Sequence, residues 1–344
     1  MIGIGTRPPL RGARQALIGG AAGALTAALL LTFLAGSRPA LAAAPKLTAA
    51  VVDGTLHITG ASTPERLALR LSPIEANRLL VDVGDDGLAE HSFDLATFAA
   101  IAVDAGSGDD VVRIDQANGV FTTTKPTTIA GGNGDDTLLG GSGAETFDGG
   151  RGDDVADGNG GADTAFLGSG NDTFVWDPGD GSDRFDGGSG SDTMEFNGAA
   201  GNEVMAATAD GDRVRFTRVQ GTIVMDLDDV EIIDVRALGG TDAITVGDVS
   251  TTDLRRVDVD LATTLGSTAS DGVADTVTVT GTQGIDTIRA STVGAAAQVT
   301  GLSAVVRVLH ADPDLDTLVL DTLDGADVVS VDADVQDVIN VTVQ

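Results

Sequence analysis

Residues 131–175 read GGNGDDTLL (131–139), GGSGAETFD (140–148), GGRGDDVAD (149–157), GNGGADTAF (158–166) and LGSGNDTFV (167–175). Five blocks of nine follow one another without a gap. Each places small residues early, an acid at position six (Asp136, Glu145, Asp154, Asp163, Asp172) and an apolar residue at position eight (Leu138, Phe147, Ala156, Ala165, Phe174). Gly and Asp favour turns with or without metal, but turns alone do not explain acids stacked at one period. Like charges so arranged repel unless a cation sits among them. Glycine lets the loop adopt positive φ and aim several carbonyls inward. Side chains alternate faces along a strand, so the position-eight residue points inward two residues after the acid.

The pattern is the nonapeptide G-G-x-G-x-D-x-U-x (U apolar), a calcium-binding parallel β-helix repeat. The segment resembles the hemolysin-type calcium-binding repeat family (RTX repeats). Calcium takes six to eight oxygen ligands from carboxylates and carbonyls, and these loops offer both. The resemblance implies an all-β chain built around a parallel β-roll, in which each nonapeptide makes one turn and one short strand. Two nonapeptides then make a coil, and several Ca²⁺ ions each bridge loops eighteen residues apart. That pairs Asp136 with Asp154 and Asp154 with Asp172 on one side, and Glu145 with Asp163 on the other, placing Asp154 between two ions. By the family pattern, carbonyls at positions two and four of one loop join those at positions one and three of its partner. Gly132 and Gly134 then meet Gly149 and Arg151, and Gly141 and Gly143 meet Gly158 and Gly160. Gly150 and Gly152 hold positions two and four of the third block. Glu145 departs from the usual Asp, predicting a weaker site; Asn159 and Leu167 stand where the family has Gly. After Val175 the register slips by two residues through Trp176–Gly181, then resumes with Asp183 and Asp192 as ligands. The slip reads as a bulged coil, and Trp176 reads as core or edge packing rather than a sugar platform.

The chain carries 52 acidic and 20 basic residues. That balance disfavours nucleic acid and anionic membranes as partners and favours divalent cations. No Cys is present, so bound metal takes the stabilising role that disulfides otherwise hold in exported proteins. The N-terminus has the form of a secretory signal peptide. Arg7, Arg11 and Arg14 precede an apolar stretch from Ala16 to Ala35, and Ala40-Leu41-Ala42 forms the cleavage site. The expectation is export by the general secretory route to a secreted, cell-surface or periplasmic location, with no membrane span after removal of 1–42. Residues 43–129 then form an N-terminal β cap, 130–197 the calcium-binding roll, and 198–344 a β-rich degenerate solenoid.

A second template supports the flanks: U-x-U, four residues, then G-x-D-x-U. It reads Ile101, Val103, Gly108, Asp110, Val112, and recurs from Ile233, Val277 and Leu318 with identical spacing. Most copies lack the double glycine and a partner eighteen residues away, so they are expected to be turns without calcium. Ala105–Asp110 is the exception: its full-looking loop makes Asp110 a further candidate, although Asp110 stands twenty-six residues from Asp136, not a multiple of nine.

Chemistry beyond calcium is not legible. No G-x-S-x-G, H-E-x-x-H, Walker or kinase signature occurs, and the three His (57, 91, 310) are scattered. The expected function is non-catalytic calcium binding with calcium-coupled folding. The alternative is a surface adhesin or matrix protein binding polysaccharide with structural calcium, and behind it a secreted hydrolase whose site shows no known signature.

Overall fold

Nine residues become one strand and eighteen become one coil. The computed structural model of the protein describes residues 47–344; the predicted signal peptide lies outside them. Strands Thr127–Asn133, Glu145–Arg151 and Thr164–Gly170 lie parallel in one sheet. Strands Thr137–Leu139, Val155–Asp157 and Thr173–Trp176 lie parallel in a second. Phe147 pairs with Ile129 and Ala165, and Ala156 pairs with Leu138 and Phe174. The chain thus alternates between sheets at every nonapeptide. All five position-eight residues are fully buried, and the Phe174 and Phe185 rings stack across the two sheets at 5.5 Å. Burying each Phe contributes about 1.5–3 kcal/mol, so the apolar position holds the coils together.

The same two sheets continue through both flanks, and each contains 14 strands. On the N-terminal side, Ala100–Ser107 joins the first sheet beside Thr127–Asn133, and Val111–Asp115 joins the second beside Thr137–Leu139. All four copies of the U-x-U…G-x-D-x-U template are half-coils that cross from one sheet to the other. Ile233 and Val235 lie in Ile232–Arg236 of the second sheet, and Ile244 lies in Ala243–Val246 of the first. The copies from Val277 and Leu318 cross in the opposite direction. Antiparallel additions interrupt the regular winding. Val204–Asp210, Arg213–Arg218 and Ile223–Asp228 widen the first sheet, and Thr287–Val293 and Ala296–Thr300 widen the second.

The register slip at Trp176–Gly181 is a bulge, as its residues suggest. Thr173 pairs with Thr193 and Thr164 with Arg184, so this coil has twenty residues and stays aligned. Trp176 turns inward: it is fully buried, stacks on Phe196 at 4.1 Å, and its indole N–H donates to the Gly181 carbonyl at 2.8 Å. It closes the bulge from inside.

Candidate metal centre

Each acid at position six sits at the corner just before, or at the first residue of, a strand. A fixed hydrogen bond joins it to the equivalent acid one coil away. The N–H of Asp136 donates to Asp154 Oδ1 at 2.8 Å, and that of Asp154 to Asp172 Oδ1 at 2.8 Å. On the opposite edge, the N–H of Glu145 donates to Asp163 Oδ1 at 2.6 Å. The bulge does not break either row. Asp163 N–H reaches Asp183 Oδ1 and Asp172 N–H reaches Asp192 Oδ1, both at 2.8 Å. Asp154 is therefore one of several acids placed between two others, together with Asp136, Asp163 and Asp172.

This bond uses one oxygen of each Asp carboxylate, and Gly141 N–H uses one of Glu145. The other, Oδ2 of Asp136, Asp154, Asp163, Asp172 and Asp192 and Oε1 of Glu145, is buried and has no hydrogen-bond partner. Among the described residues, none of these six acids forms an ion pair with Lys, Arg or His, although the chain makes such pairs elsewhere, as at Arg113–Asp85 and Arg307–Asp258. A buried, unpaired carboxylate is costly. Burial, aided by neighbouring carboxylates and opposed by main-chain N–H donors, pushes Asp154 up to about 7 and Asp163 up to about 8. Asp136, Asp183 and Asp192 rise to about 6, and burial raises Glu145 and Asp172 as well. Glu145 uses its extra length to fold back on its own loop, where Oε2 accepts from Gly141 N–H at 2.7 Å.

The glycines make the cradle. A Cβ on Gly149 would lie 2.5 Å from Asp154 Oδ2 and 2.6 Å from the Leu167 carbonyl oxygen; one on Gly158 would lie 2.4 Å from Asp163 Oδ2. Gly132, Gly150 and Gly168 stack in a column with φ of 111°, 104° and 99°. A Cβ on Gly150 would fall 2.2 Å from the Gly132 carbonyl oxygen, and one on Gly152 2.1 Å from that of Gly134. Those carbonyls therefore point into the space between successive loops. The Arg151 carbonyl accepts from Gly134 N–H at 2.8 Å, and the Gly141 carbonyl accepts from Gly160 N–H at 2.9 Å; each keeps a second lone pair. Gly143 stacks beneath Gly161 in the same way on the other edge. Gly150→Ala should cost about 3 kcal/mol, since strain at positive φ and the carbonyl clash act together. Thermal unfolding in saturating calcium measures it, and a melting temperature equal to wild type would contradict this role for the column.

The donor set is oxygen throughout. Among the described residues, no three His, Cys, Asp or Glu side chains converge on one point, so main-chain carbonyls must supply much of any coordination shell. Such a shell suits a hard cation with many flexible oxygen ligands and does not suit a soft metal. Orphaned carboxylate oxygens held beside carbonyl-lined loops fit calcium.

Three further acids join the first edge. Asp110 N–H donates to Asp136 Oδ1 at 2.7 Å, across the twenty-six-residue interval. The extra residues are absorbed between Asp115 and Thr127, outside the two strands, and Asp110 Oδ2 is another buried orphan. Glu65 N–H meets Asp110 Oδ1 at 2.7 Å, and Asp192 N–H meets Glu231 Oε2 at 2.8 Å. The period of nine hid Glu65 and Glu231 and left the candidate Asp110 without an evident partner. An acid followed by one residue and then an inward apolar residue at a strand start is the signal that finds Asp110 and its relatives.

Fold and site together define a parallel β-roll with oxygen-donor cation loops. Residues 127–156, 139–174 and 179–194 match the RTX calcium-binding nonapeptide repeat, in four copies. The chain carries hemolysin-type calcium-binding repeats over this stretch, and it is a calcium-binding β-roll protein. No curated protein matches it. A solved structure, the extracellular lipase LipA from Serratia marcescens, is 12% identical over 62% of this chain and 43% of that chain, with a TM-score of 0.19; a likeness that slight carries no argument.

Proposed function

We propose that this is an exported, non-catalytic protein whose roll folds on binding calcium outside the cytoplasm. The observation that carries the reading is the row of buried carboxylate oxygens without partners along both edges of the roll. Each ion sits between the paired acids of successive coils: Asp136 with Asp154, Asp154 with Asp172, Asp172 with Asp192, Glu145 with Asp163, and Asp163 with Asp183. The carbonyls of Gly132 and Gly134, with those of Gly149 and Arg151, complete the first shell, and Gly141, Gly143, Gly158 and Gly160 serve the opposite edge. Gly150 and Gly152 repeat the arrangement one coil on. Where calcium is scarce, repulsion among the acids keeps the roll open. Where it is abundant, the ions neutralise the loops, the position-eight residues pack, and binding energy becomes folding energy. The signal-peptide form of 1–42 supports export, and a sequence without known catalytic signatures supports a binding role.

Far-UV circular dichroism tests this directly. Calcium titrated into the chelated protein should increase β-sheet signal and raise the melting temperature, and magnesium at equal concentration should do neither, because it demands near-ideal octahedral geometry. Absence of any calcium response would refute the proposal.

A further inference from the structure

Asp242 and Asp275 stand at the corners before strands Ala243–Val246 and Thr276–Thr280, beyond the residues that match the repeat. Each is 1% exposed. They belong to another row on the first sheet's edge: Glu203 N–H donates to Asp242 Oδ1 at 2.7 Å, Asp242 N–H to Asp275 Oδ1 at 2.8 Å, and Asp275 N–H to Asp316 Oδ1 at 2.9 Å. The intervals along the chain are 39, 33 and 41 residues, so no nonapeptide reading reaches them.

The ends of this row are satisfied within the chain. Glu203 forms an ion pair with Arg218, and Asp316 Oδ2 accepts from Asp312 N–H at 2.6 Å. The two middle members are not: Oδ2 of Asp242 and Oδ2 of Asp275 are buried without a partner, and neither acid forms an ion pair among the described residues. The loop ahead of Asp242 is shaped like those of the roll. Leu238 and Gly240 take φ of 65° and 122°, and a Cβ on Gly240 would lie 2.9 Å from the Gly201 carbonyl oxygen. Asp271 reaches across to this loop, its Oδ2 accepting from Gly240 N–H at 3.1 Å.

We infer that Asp242 and Asp275 hold a calcium ion between them, with loop carbonyls as the remaining ligands. The inference rests on the calcium reading of the roll and extends it into residues 198–344, whose turns were expected to be metal-free. Equilibrium dialysis against saturating calcium counts ions per chain in the full protein. The Asp242→Asn/Asp275→Asn double variant should bind one ion fewer than wild type. An equal count overturns this site and leaves the roll reading standing; a wild-type chain that binds no calcium overturns both. Should the double variant lose its β-sheet signal, hydrogen exchange of the wild type decides. Calcium should slow exchange at 239–243 and 271–276 more than in strand Val305–Leu309, which has no acid at its corner. Equal slowing overturns the site.

Discussion

Stripped of calcium and desalted, the protein should lose β-sheet as the pH rises from about 5 to about 8. The buried carboxyls set the sign. In the unfolded chain they titrate near 4. In the fold, burial lifts Asp136, Asp183 and Asp192 to about 6, Asp154 and Asp180 to about 7, and Asp163 to about 8. Below pH 4 both states are protonated and these groups are neutral to stability. Between the two sets of values the folded chain holds more protons, so stability falls as pH rises. Each unit of separation corresponds to about 1.4 kcal/mol per group, and all of these groups but Asp180 lie in the two hydrogen-bonded rows. Acid and calcium therefore substitute for one another: protons neutralise the rows at pH 5, calcium at pH 8. Circular dichroism of the chelated chain at the two values, then with calcium restored at pH 8, reads this out. A calcium-free chain equally folded at both would show that the rows carry no such cost.

Asp154→Ala should weaken calcium binding at least tenfold, about 1.4 kcal/mol or more, and far more than Asp286→Ala. Asp154 accepts from Asp136 N–H, donates to Asp172, and keeps a buried orphan oxygen; the substitution removes a ligand from two sites and strands one main-chain N–H. Asp286 also caps a corner and donates to Asp327 Oδ1 at 2.9 Å. Its own oxygens, however, are occupied by Thr282, whose N–H reaches Oδ2 at 2.6 Å and whose hydroxyl reaches Oδ1 at 3.0 Å. Its loss should lower stability without changing calcium affinity. Calorimetric titration of both variants makes the comparison, and equal losses of affinity would erase the distinction between loaded corners and closed ones.

The nine-residue register made the roll legible because strand, corner acid and inward apolar residue recur at one spacing. Leu138, Phe147 and Phe174 are buried where position eight predicts, and the bulge at Trp176 was visible as a two-residue slip. What escaped was register carried by geometry rather than by count. Asp110, Asp242 and Asp275 align with their partners only because loops and hairpins of unequal length project from the coils, leaving the corner hydrogen bond unchanged. Asp275-Thr276-Val277 and Asp316-Thr317-Leu318 repeat the Asp172-Thr173-Phe174 corner. That three-residue signature survives where the glycines do not. The fate of each carboxylate depends on what the chain does next: Glu203 meets Arg218 across the hairpin it opens, while Asp242, which opens no hairpin, meets no Lys or Arg among the described residues.

Anomalous diffraction from crystals grown in calcium tests the central claim most directly. Peaks beside the orphan oxygens of Asp136, Asp154, Asp172, Glu145 and Asp163, each shared by loops one coil apart, are the predicted result. Edges free of anomalous density, with the acids protonated or bound to water alone, would contradict it.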